Sequence, residues 1–204
     1  MVKSRRRKLL VEGAGDRADL SAECRKGFKR LFEKAGIQGV LPRVVPCGSR
    51  RAAFDSFCHE LANAGPDDMI MLLVDSEAPM ISEDPWEHVK LREGDGWDQP
   101  AGATSEHLHL MVEVMEAWFL ADPDALERLF KKGFRREALP ARADIEKVAK
   151  LDVYRALQSA TRDTKSGPYG KGPHSFKVLA EVDPKKLEAA SPWALRLFQA
   201  LANA

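Results

Sequence analysis

The sequence predicts an α/β protein in which helices flank a mainly parallel β-sheet and the C-terminal third forms a helical lobe. Apolar strand-like runs alternate with helical stripes through the first 75 residues in the order β-α-β-α-β, which is typical of a layered parallel sheet. The run MIMLLV at 69–74 is apolar at every position, as expected for a strand covered on both faces. With 204 residues, the chain is long enough to bury one sizeable core.

The first half of the chain supplies three strands and two helices. KLLV at 8–11 predicts the first strand, and GVLPRVVPCG at 39–48 predicts a second strand in which Pro42 indicates an edge position or a bulge. Between them, apolar residues recur at helical spacing and stop at Gly36: Leu20, Cys24, Phe28, Leu31 and Phe32. A second helical stripe precedes the third strand at 69–74 and comprises Ala53, Phe54, Phe57, Cys58 and Leu61.

The second half begins with a long polar segment, 79–106, which holds Trp86 and Trp97. Connections of this length are uncommon in compact domains, so the segment predicts a functional or mobile loop. HLHLMVEVM at 107–115 predicts a fourth strand and EAWFLADPDALERLF at 116–130 a helix; further helices are predicted at 142–160, 174–182 and 192–203. We therefore expect an α/β core at 1–130 and a helical lobe at 131–204 that packs on it as one compact unit.

The net charge of +1 neither favours nor excludes a nucleic-acid partner, but the basic residues are clustered. One cluster lies near the N-terminus and one in a Gly/Pro-rich stretch near the end. Each cluster is either a solvated face or a phosphate-binding surface. The members are Lys3, Arg5, Arg6, Arg7 and Lys8 in the first, and Arg162, Lys165, Lys171 and Lys177 in the second.

Three scattered cysteines, Cys24, Cys47 and Cys58, form no CxxC pair. They predict neither a disulfide framework nor a zinc site, and they fit a reducing compartment. No apolar run approaches the roughly 18 residues of a membrane span. Only three apolar residues follow the basic N-terminus before an acid, too few for a signal peptide. We expect a cytoplasmic protein that does not bind a membrane.

Carboxylates follow two of the predicted strands. Glu12 ends the first strand, Asp75 ends the third, and Glu77 lies two positions further on, which in extended backbone places it on the same side as Asp75. Ligands of parallel sheets lie at the carboxyl ends of the strands, so these acids share one rim if the two strands are neighbours. Hard cations such as Mg²⁺ prefer oxygen ligands of this kind. The alternative is that the acids are solvated turn residues.

A rival interpretation of EGAGDRA is a dinucleotide-binding turn, because Gly13, Gly15 and Ala18 satisfy G-x-G-x-x-A. The surroundings oppose it. Glu12 and Asp16 would repel a bound pyrophosphate, and no acid closes the second strand to take the ribose hydroxyls.

The segments LLVEG and LLVDSE resemble the Toprim catalytic fold of topoisomerases, primases and OLD-type nucleases. Toprim proteins carry a Glu after the first strand and D-x-D after the third. VEGAGD, LLVDSEAP, LMVEVMEAWFLADPDAL and YGKGPHSFKVLAEVDPKKLEAASP together resemble a Toprim-related family called domain of unknown function 4276, and they span nearly the whole chain.

The resemblance implies a Toprim-like core with Glu12, Asp75 and Glu77 at the acidic positions. Similar families often sit beside ATPases in phage-defence loci, where Toprim proteins act as nucleases. Glu77 departs from the pattern, since classical Toprim has Asp there. Its additional methylene moves the carboxylate, and octahedral Mg²⁺ is strict about geometry.

Further candidates lie outside these motifs. Glu116 follows the fourth strand and could reach the same rim, or it could face a helix N-terminus. On a continuous helix, Glu116 and Asp122 would point in opposite directions. TKSGPYGKGPHSF offers Lys165, Lys171 and His174 as phosphate-binding groups, or it is an exposed loop. His107 and His109 lack a third nearby ligand, so a zinc site is not predicted.

The leading hypothesis is a Mg²⁺- or Mn²⁺-dependent protein that cleaves phosphodiester bonds in DNA or RNA. Asp75 and Glu77 hold the metal, Glu12 binds metal or acts as general acid/base, and Lys171 with Lys165 binds the scissile phosphate. The second hypothesis is a non-catalytic subunit that docks on an ATPase and binds or senses nucleic acid. A third is a phosphatase or nucleotide enzyme for small molecules.

Overall fold

Four parallel strands form a single sheet in a computed structural model that describes residues 5–15, 17–37, 41–141 and 144–203. The strands are β1 (Arg7–Val11), β2 (Arg43–Pro46), β3 (Met69–Asp75) and β4 (Leu108–Met111). Their order is β2-β1-β3-β4, and every pairing is parallel. Helices flank this sheet and make up the C-terminal region, so the predicted fold class is confirmed.

The α-helices of the described residues are α1 (Ala18–Lys34), α2 (Arg50–Ala62), α3 (Pro85–Leu91), α4 (Pro123–Phe130), α5 (Lys150–Thr161), α6 (Ser175–Glu181), α7 (Pro184–Ala190) and α8 (Pro192–Ala202). Short 3₁₀ segments span Ser105–His107, Met115–Ala121, Arg136–Ala138 and Ile145–Lys147. Within these ranges, no helix combines the length and apolar character needed to cross a bilayer.

The sheet is covered on both faces. Successive side chains of β3 point to opposite sides, and all seven of its residues are buried. Met71 and Leu73 pack in a core with the Cys24–Phe28–Phe32 stripe of α1, while Leu72 and Val74 pack in a second core with α2 and α3. The fully apolar run of β3 is thus explained by a three-layer arrangement.

The strand order changes direction at β1. The chain runs from β1 through α1 to β2, which pairs with one edge of β1, and then through α2 to β3, which pairs with the opposite edge of β1. β1 and β3 are therefore neighbours, with Leu10 opposite Leu72 and Val11 opposite Leu73. The carboxyl ends of two such strands form the crevice in which open α/β sheets bind ligands.

The second strand is an edge strand, as Pro42 predicted. It begins directly after Pro42, at Arg43, and its predicted first residues at 39–40 lie outside the described residues. The predicted start of a helix at 142–143 also lies outside them, as do Asp16 and Lys3. The described part of that helix is a 3₁₀ segment, Ile145–Lys147, followed by α5.

The prediction of a long loop at 79–106 was wrong. The segment contains α3, and the side chains of Trp86 and Trp97 are buried in the second core. Asp84 caps α3 by accepting a hydrogen bond from the Trp86 amide (3.1 Å), and Pro85 occupies the first turn. The polar composition hid a short helix.

The prediction of one helix over 116–130 was also wrong. Met115–Ala121 forms a 3₁₀ segment, and α4 begins anew at Pro123 with Asp122 as its cap. The same Asp-Pro start produces α7 after Asp183, a helix that the hydrophobic pattern did not indicate. Proline at the first helical position prevents continuation of a preceding helix and favours a new one.

The C-terminal helices pack directly on the sheet layers. Gly27 allows α6 to approach α1, because a Cβ at this position would lie 2.7 Å from the carbonyl oxygen of Phe176. Lys34 Nζ also donates to the Ala180 carbonyl at the other end of α6 (2.8 Å). The packing of α6 against α1 places Phe176 beside Gly13, near the end of β1.

The division of the chain at residue 130 into an α/β core and a helical lobe stays a prediction.

Candidate metal centre

Three carboxylates meet at the carboxyl end of β1 and β3. Glu12, Asp75 and Glu77 each offer an oxygen within 4.8 Å of the oxygens of the other two; we call them the acidic triad. Strand pairing explains the placement of two of them. The Glu12 amide donates to the Leu73 carbonyl (3.0 Å), which extends the β1–β3 ladder, and the Asp75 amide donates to Glu12 Oε2 (3.3 Å).

Glu77 reaches the acidic triad by a different route from the one predicted. Its backbone is in the left-handed region, with φ of 63°, so it does not continue the extended conformation of β3. Its amide donates to the carbonyl of Glu113 (3.0 Å), a second residue with positive φ. Ser76 joins the two turns because its hydroxyl accepts from the Glu113 amide (2.7 Å). Non-glycine residues in this region are uncommon and mark sites where the surroundings impose the backbone.

Each member of the acidic triad has a basic neighbour. Arg50 Nη1 lies 3.4 Å from Glu12 Oε2, Lys171 Nζ lies 3.8 Å from Asp75 Oδ2, and Lys150 Nζ forms an ion pair with Glu77. Three carboxylates at this separation repel one another unless cations or protons neutralise them. In the protein itself, these basic side chains provide that neutralisation.

The three cations are held to different degrees. Arg50 is fixed: its Nε and Nη2 donate to both oxygens of Asp95 (2.8 and 2.7 Å), it lies 4.8 Å over the ring of Trp97, and it donates to the Asp75 carbonyl. The Lys171 and Lys150 side chains are 58% and 33% exposed and are flexible by nature. Arg50 is therefore a permanent part of the site, and the two lysines are replaceable.

Burial governs the protonation of the acidic triad. It raises the pKa of Asp75 to about 8; Glu12 and Glu116 add to this rise, while Lys171 and the hydrogen bond from the Met115 amide oppose it. Burial likewise raises the pKa of Glu12 against the opposing charge of Arg50. Burial works against the charge of Lys171, yet Glu116 and Asp75 outweigh it and raise the pKa of that ammonium. Burial and the neighbouring carboxylates thus favour the protonated form of Asp75, although a lysine lies beside it.

Glu116 lies at the same rim and is completely buried. Three hydroxyls donate to its carboxylate: Tyr169 Oη and Ser175 Oγ to Oε1 (3.0 and 3.1 Å), and Tyr154 Oη to Oε2 (3.2 Å). Asp122 lies elsewhere, where it caps α4 and accepts from Lys186 Nζ (2.6 Å). The two acids have separate partners, but no continuous helix joins them, so the predicted reason, opposite directions on one helix, does not apply.

Lys171 lies beside Asp75, but the other two predicted phosphate-binding residues lie apart. The Lys165 side chain is exposed. His174 Nδ1 accepts from the Gly170 amide (3.0 Å), and its ring packs against Phe130 with centroids 5.3 Å apart. The pKa of His174 is lowered by burial and by Lys177.

The two histidines weighed as zinc ligands, His107 and His109, have structural partners. His109 is buried and contacts the Glu106 carbonyl and Arg196, and His107 accepts from the Thr104 amide. Among the described residues, the acidic triad is the one group of three or more metal-ligand side chains found to converge, and it contains no histidine.

A pocket of about 430 Å³ opens beside the acidic triad. Glu12, Asp75, Glu116 and Lys171 line its polar part. The loop Gly13–Gly15 forms one edge, with positive φ at all three positions, and an antiparallel bridge between Gly13 and Gly48 holds this loop against the end of β2. Positive φ at Gly13 and Gly15 explains the glycines of EGAGD without a dinucleotide.

Sequence reasoning missed four residues of the site: Arg50, Asp95, Glu113 and Lys150. Arg50 begins α2 immediately after the second strand, which is a position at the same rim as Glu12. This placement was a usable signal. The others depend on the left-handed turns and on packing between distant segments, and no local pattern indicates them.

The family model described as Domain of unknown function (DUF4276) matches residues 11–202, nearly the whole chain and all of the site described above. The chain matches no curated protein and no solved structure.

Proposed function

We propose a function for this chain, which belongs to the family described as Domain of unknown function (DUF4276). The proposed function is that of a Mg²⁺- or Mn²⁺-dependent nuclease acting on DNA or RNA. One observation carries the proposal: the carboxylates of Glu12, Asp75 and Glu77 converge at the carboxyl ends of neighbouring parallel strands. The resemblance of VEGAGD and LLVDSEAP to Toprim motifs supports the same assignment. The proposal includes a Toprim relationship.

The donor set fits a hard divalent cation. All three ligands are carboxylates, and their oxygens are close enough to share one ion. Binding requires Lys150 and Lys171 to leave Glu77 and Asp75, and both side chains are exposed enough to move. Metal binding must displace the proton of Asp75, and because burial raises the pKa of this carboxyl, we expect metal affinity to increase as the pH rises.

In the proposed reaction, Asp75 and Glu77 would hold the metal, and Glu12 would either bind it with them or act as general acid/base. When bound, the metal supplies positive charge at the phosphate and lowers the pKa of water. Arg50 keeps Glu12 and the Asp75 backbone in place through its contacts with both. The acid/base role of Glu12 is supported by burial, which raises the pKa of this carboxyl above its ordinary value.

Lys171 is the proposed phosphate-binding residue. Its ammonium faces Asp75 and lies 6.0 Å from the centre of the Tyr154 ring, at the mouth of the pocket. Once displaced from Asp75, it is placed to neutralise a phosphate oxygen. Lys165 and His174 stay predictions as phosphate ligands, since their surroundings favour an exposed loop and a packed ring respectively.

The alternative is a non-catalytic subunit that binds or senses nucleic acid. The observation that favours it is the complete set of basic partners around the acidic triad, which allows the site to be stable without metal. In both versions we propose a cytoplasmic protein that works with an ATPase in phage defence. The three cysteines without disulfide bonds are compatible with that compartment.

The test compares wild-type protein with Glu12→Gln and Asp75→Asn on plasmid DNA, single-stranded DNA and RNA, with Mg²⁺ or Mn²⁺. Both substitutions keep side-chain size and remove a charged ligand. We expect cleavage to fall by more than about 100-fold, because loss of a ligand's supporting partner alone costs about 10–100-fold. Asp124→Asn is the matched control, since Asp124 lies in a different acidic cluster.

Cleavage that persists unchanged in both variants removes the acids from catalysis. If wild-type protein neither cleaves nor binds Mn²⁺ in calorimetry, and co-purifies with a neighbouring ATPase, the non-catalytic alternative is favoured.

A further inference from the structure

The pocket beside the acidic triad has the composition of a small-ligand site. Its volume of about 430 Å³ lies in the range of such sites, roughly 300–1,000 Å³. Glu12 and Asp75 line one end of it, and a larger apolar surface lines the rest. A ligand that fills the pocket therefore brings one end to the acids and the other into apolar surroundings.

The apolar surface comes from Leu20 and from the pocket-facing edge of the first core. Leu20 belongs to the predicted buried stripe of α1, yet it is half-buried and faces the pocket. Met111, Met115 and Phe176 contribute from the end of β4, the 3₁₀ segment and α6. Methionine and phenylalanine adapt to flat ring systems and bind them through their faces.

Glycine backbone leaves the remaining walls open. Gly13, Gly15 and Gly172 line the pocket with positive φ. A Cβ at Gly172 would lie 3.7 Å from Leu20 Cδ1, so any side chain here would narrow the space in front of Leu20. This arrangement lets a flat group lie against the backbone.

Cations stand at the rim. Lys171 lies at the acidic end, and Arg17 lies at the start of α1. Arg17 pairs with Asp19, but both side chains are more than 60% exposed, and such pairs contribute little to stability. Arg17 is therefore able to turn toward a phosphate. The two cations and the apolar interior match a phosphate-linked aromatic ring. A divalent cation held by the acidic triad would offset the carboxylates that otherwise repel the phosphate.

We propose that this pocket binds one unpaired nucleotide, with its base against Leu20 and Phe176 and its phosphate toward Lys171. The placement of the phosphate rests on the metal site of the proposed function, and the identification of the polymer rests on its nuclease activity. A base inside a duplex is stacked and paired, so it enters a pocket only after extrusion or at a frayed end. Contacts through the faces of the base tolerate any sequence. The substrate class is therefore single strands and strand ends rather than closed duplex.

The first experiment measures binding without cleavage. Deoxyadenosine and deoxycytidine 5′-monophosphates are titrated calorimetrically, in Mg²⁺, into wild-type protein and Leu20→Trp, whose indole fills the pocket from its half-buried side. Leu20→Ala removes the apolar contact without filling the space, and Leu91→Trp adds an indole at an exposed position on α3. We expect at least about 10-fold weaker binding for Leu20→Trp, weaker binding for Leu20→Ala and no change for Leu91→Trp.

The second experiment compares linear single-stranded DNA with covalently closed circular duplex. We expect the single strand to be cut and the closed duplex to resist. The proposal is overturned if Leu20→Trp and Leu20→Ala, both folded by circular dichroism, bind mononucleotides as wild type does. It is also overturned if closed duplex is cut as fast as single strands.

The two proposals fail separately. Mononucleotide binding that Leu20→Trp weakens, without cleavage of any polymer, supports the pocket and refutes the nuclease. Cleavage of closed duplex at equal rates by wild type and Leu20→Trp supports the nuclease and refutes the pocket.

Discussion

Two clusters of acids in the described part of the chain are built on opposite principles. In the acidic triad, carboxylates crowd together, and burial raises the pKa of Asp75 to about 8. In the second cluster, which we call the Asp122 cluster, Asp122 and Asp124 share Lys186 with contacts of 2.6 Å each, and Arg136 adds a contact of 2.6 Å to Asp124. These partners lower the pKa of Asp124 to about 2.

The difference shows how the same side chain serves stability or chemistry. Asp122 closes a structural joint: it caps α4 and accepts from the Asp183 amide (3.0 Å) at the start of α7. Asp75 accepts a single backbone hydrogen bond from Met115, while its other neighbours include two carboxylates. An acid with satisfied partners stabilises the fold, whereas a crowded acid is poised to bind a cation.

The largest expected effect comes from breaking the Asp122 cluster. Asp122→Ala removes the cap of α4, the acceptor for the Asp183 amide and the buried partner of Lys186. We expect the free energy of unfolding to fall by about 3 kcal/mol, measured by chemical denaturation. Asp124→Ala, which removes an exposed carboxylate from the same cluster, should cost much less. Equal losses from the two substitutions would show that Asp122 has no special structural role.

Removing a charge from the acidic triad should raise the free energy of unfolding, the opposite of the effect at Asp122. In EDTA at pH 8, we expect Asp75→Asn to raise the free energy of unfolding by about 1–2 kcal/mol, as relief of functional strain often does. The raised pKa means that the folded state holds this proton more tightly than the unfolded state does. Wild-type stability from this group is therefore present below pH 4 and is lost as the pH rises to about 8.

The measurement is denaturation of both proteins at pH 5 and pH 8. The advantage of Asp75→Asn should be larger at pH 8. An advantage that is equal at the two values, or absent, would mean that Asp75 is not strained in the folded protein.

The lysines of the acidic triad should behave as replaceable cations. Lys150→Met keeps the aliphatic stem and removes the charge that competes with a metal for Glu77. We expect Mn²⁺ affinity to rise by about 10-fold in calorimetry, since one like charge a few ångströms away is worth this much or more near a surface. Lys90→Met removes an exposed charge elsewhere and should change nothing. Weaker binding in Lys150→Met would instead make Lys150 an orienting partner of Glu77.

The smallest expected effect concerns Asp124, whose contribution to stability should be lost at low pH. The lowered pKa of Asp124 means that its contribution to stability is present above pH 4 and is lost as the pH falls to about 2. Asp124→Asn should therefore unfold more readily than wild type at pH 5, and the gap should close toward pH 2. Because the group is exposed, the gap should also shrink in high salt. A gap that persists at pH 2 would exclude a charge effect.

Much of this molecule follows from simple patterns. The unbroken apolar run of β3 and the stripe of α1 predicted the covered parallel sheet, because burial on two faces demands apolar residues at every position. Placement of Glu12 and Asp75 at one rim then needed only that β1 and β3 be neighbours, as they are.

The features that were not predicted depend on helix-start signals in short helices and on contacts between distant segments. Helices α3 and α7 are too short for a clear apolar stripe, although Asp84-Pro85 and Asp183-Pro184 carried a start signal. Glu77 was expected in extended backbone, and its left-handed turn arises from hydrogen bonds to the segment around Glu113. The ion pair of Lys150 with Glu77 depends on that turn, so the sequence around Lys150 does not indicate it.

The close packing of α6 against α1 at Gly27 has a consequence for the order of folding. Glu12 and Lys171 line the same pocket although about 160 positions of chain separate them, so the pocket is complete only when the sheet has formed and α6 has docked. A partly folded chain that has only the β1–β3 ladder carries Glu12 and Asp75 side by side, without the lysine or the apolar wall. Only the completely folded protein therefore has the groups needed to bind a phosphate-bearing ligand.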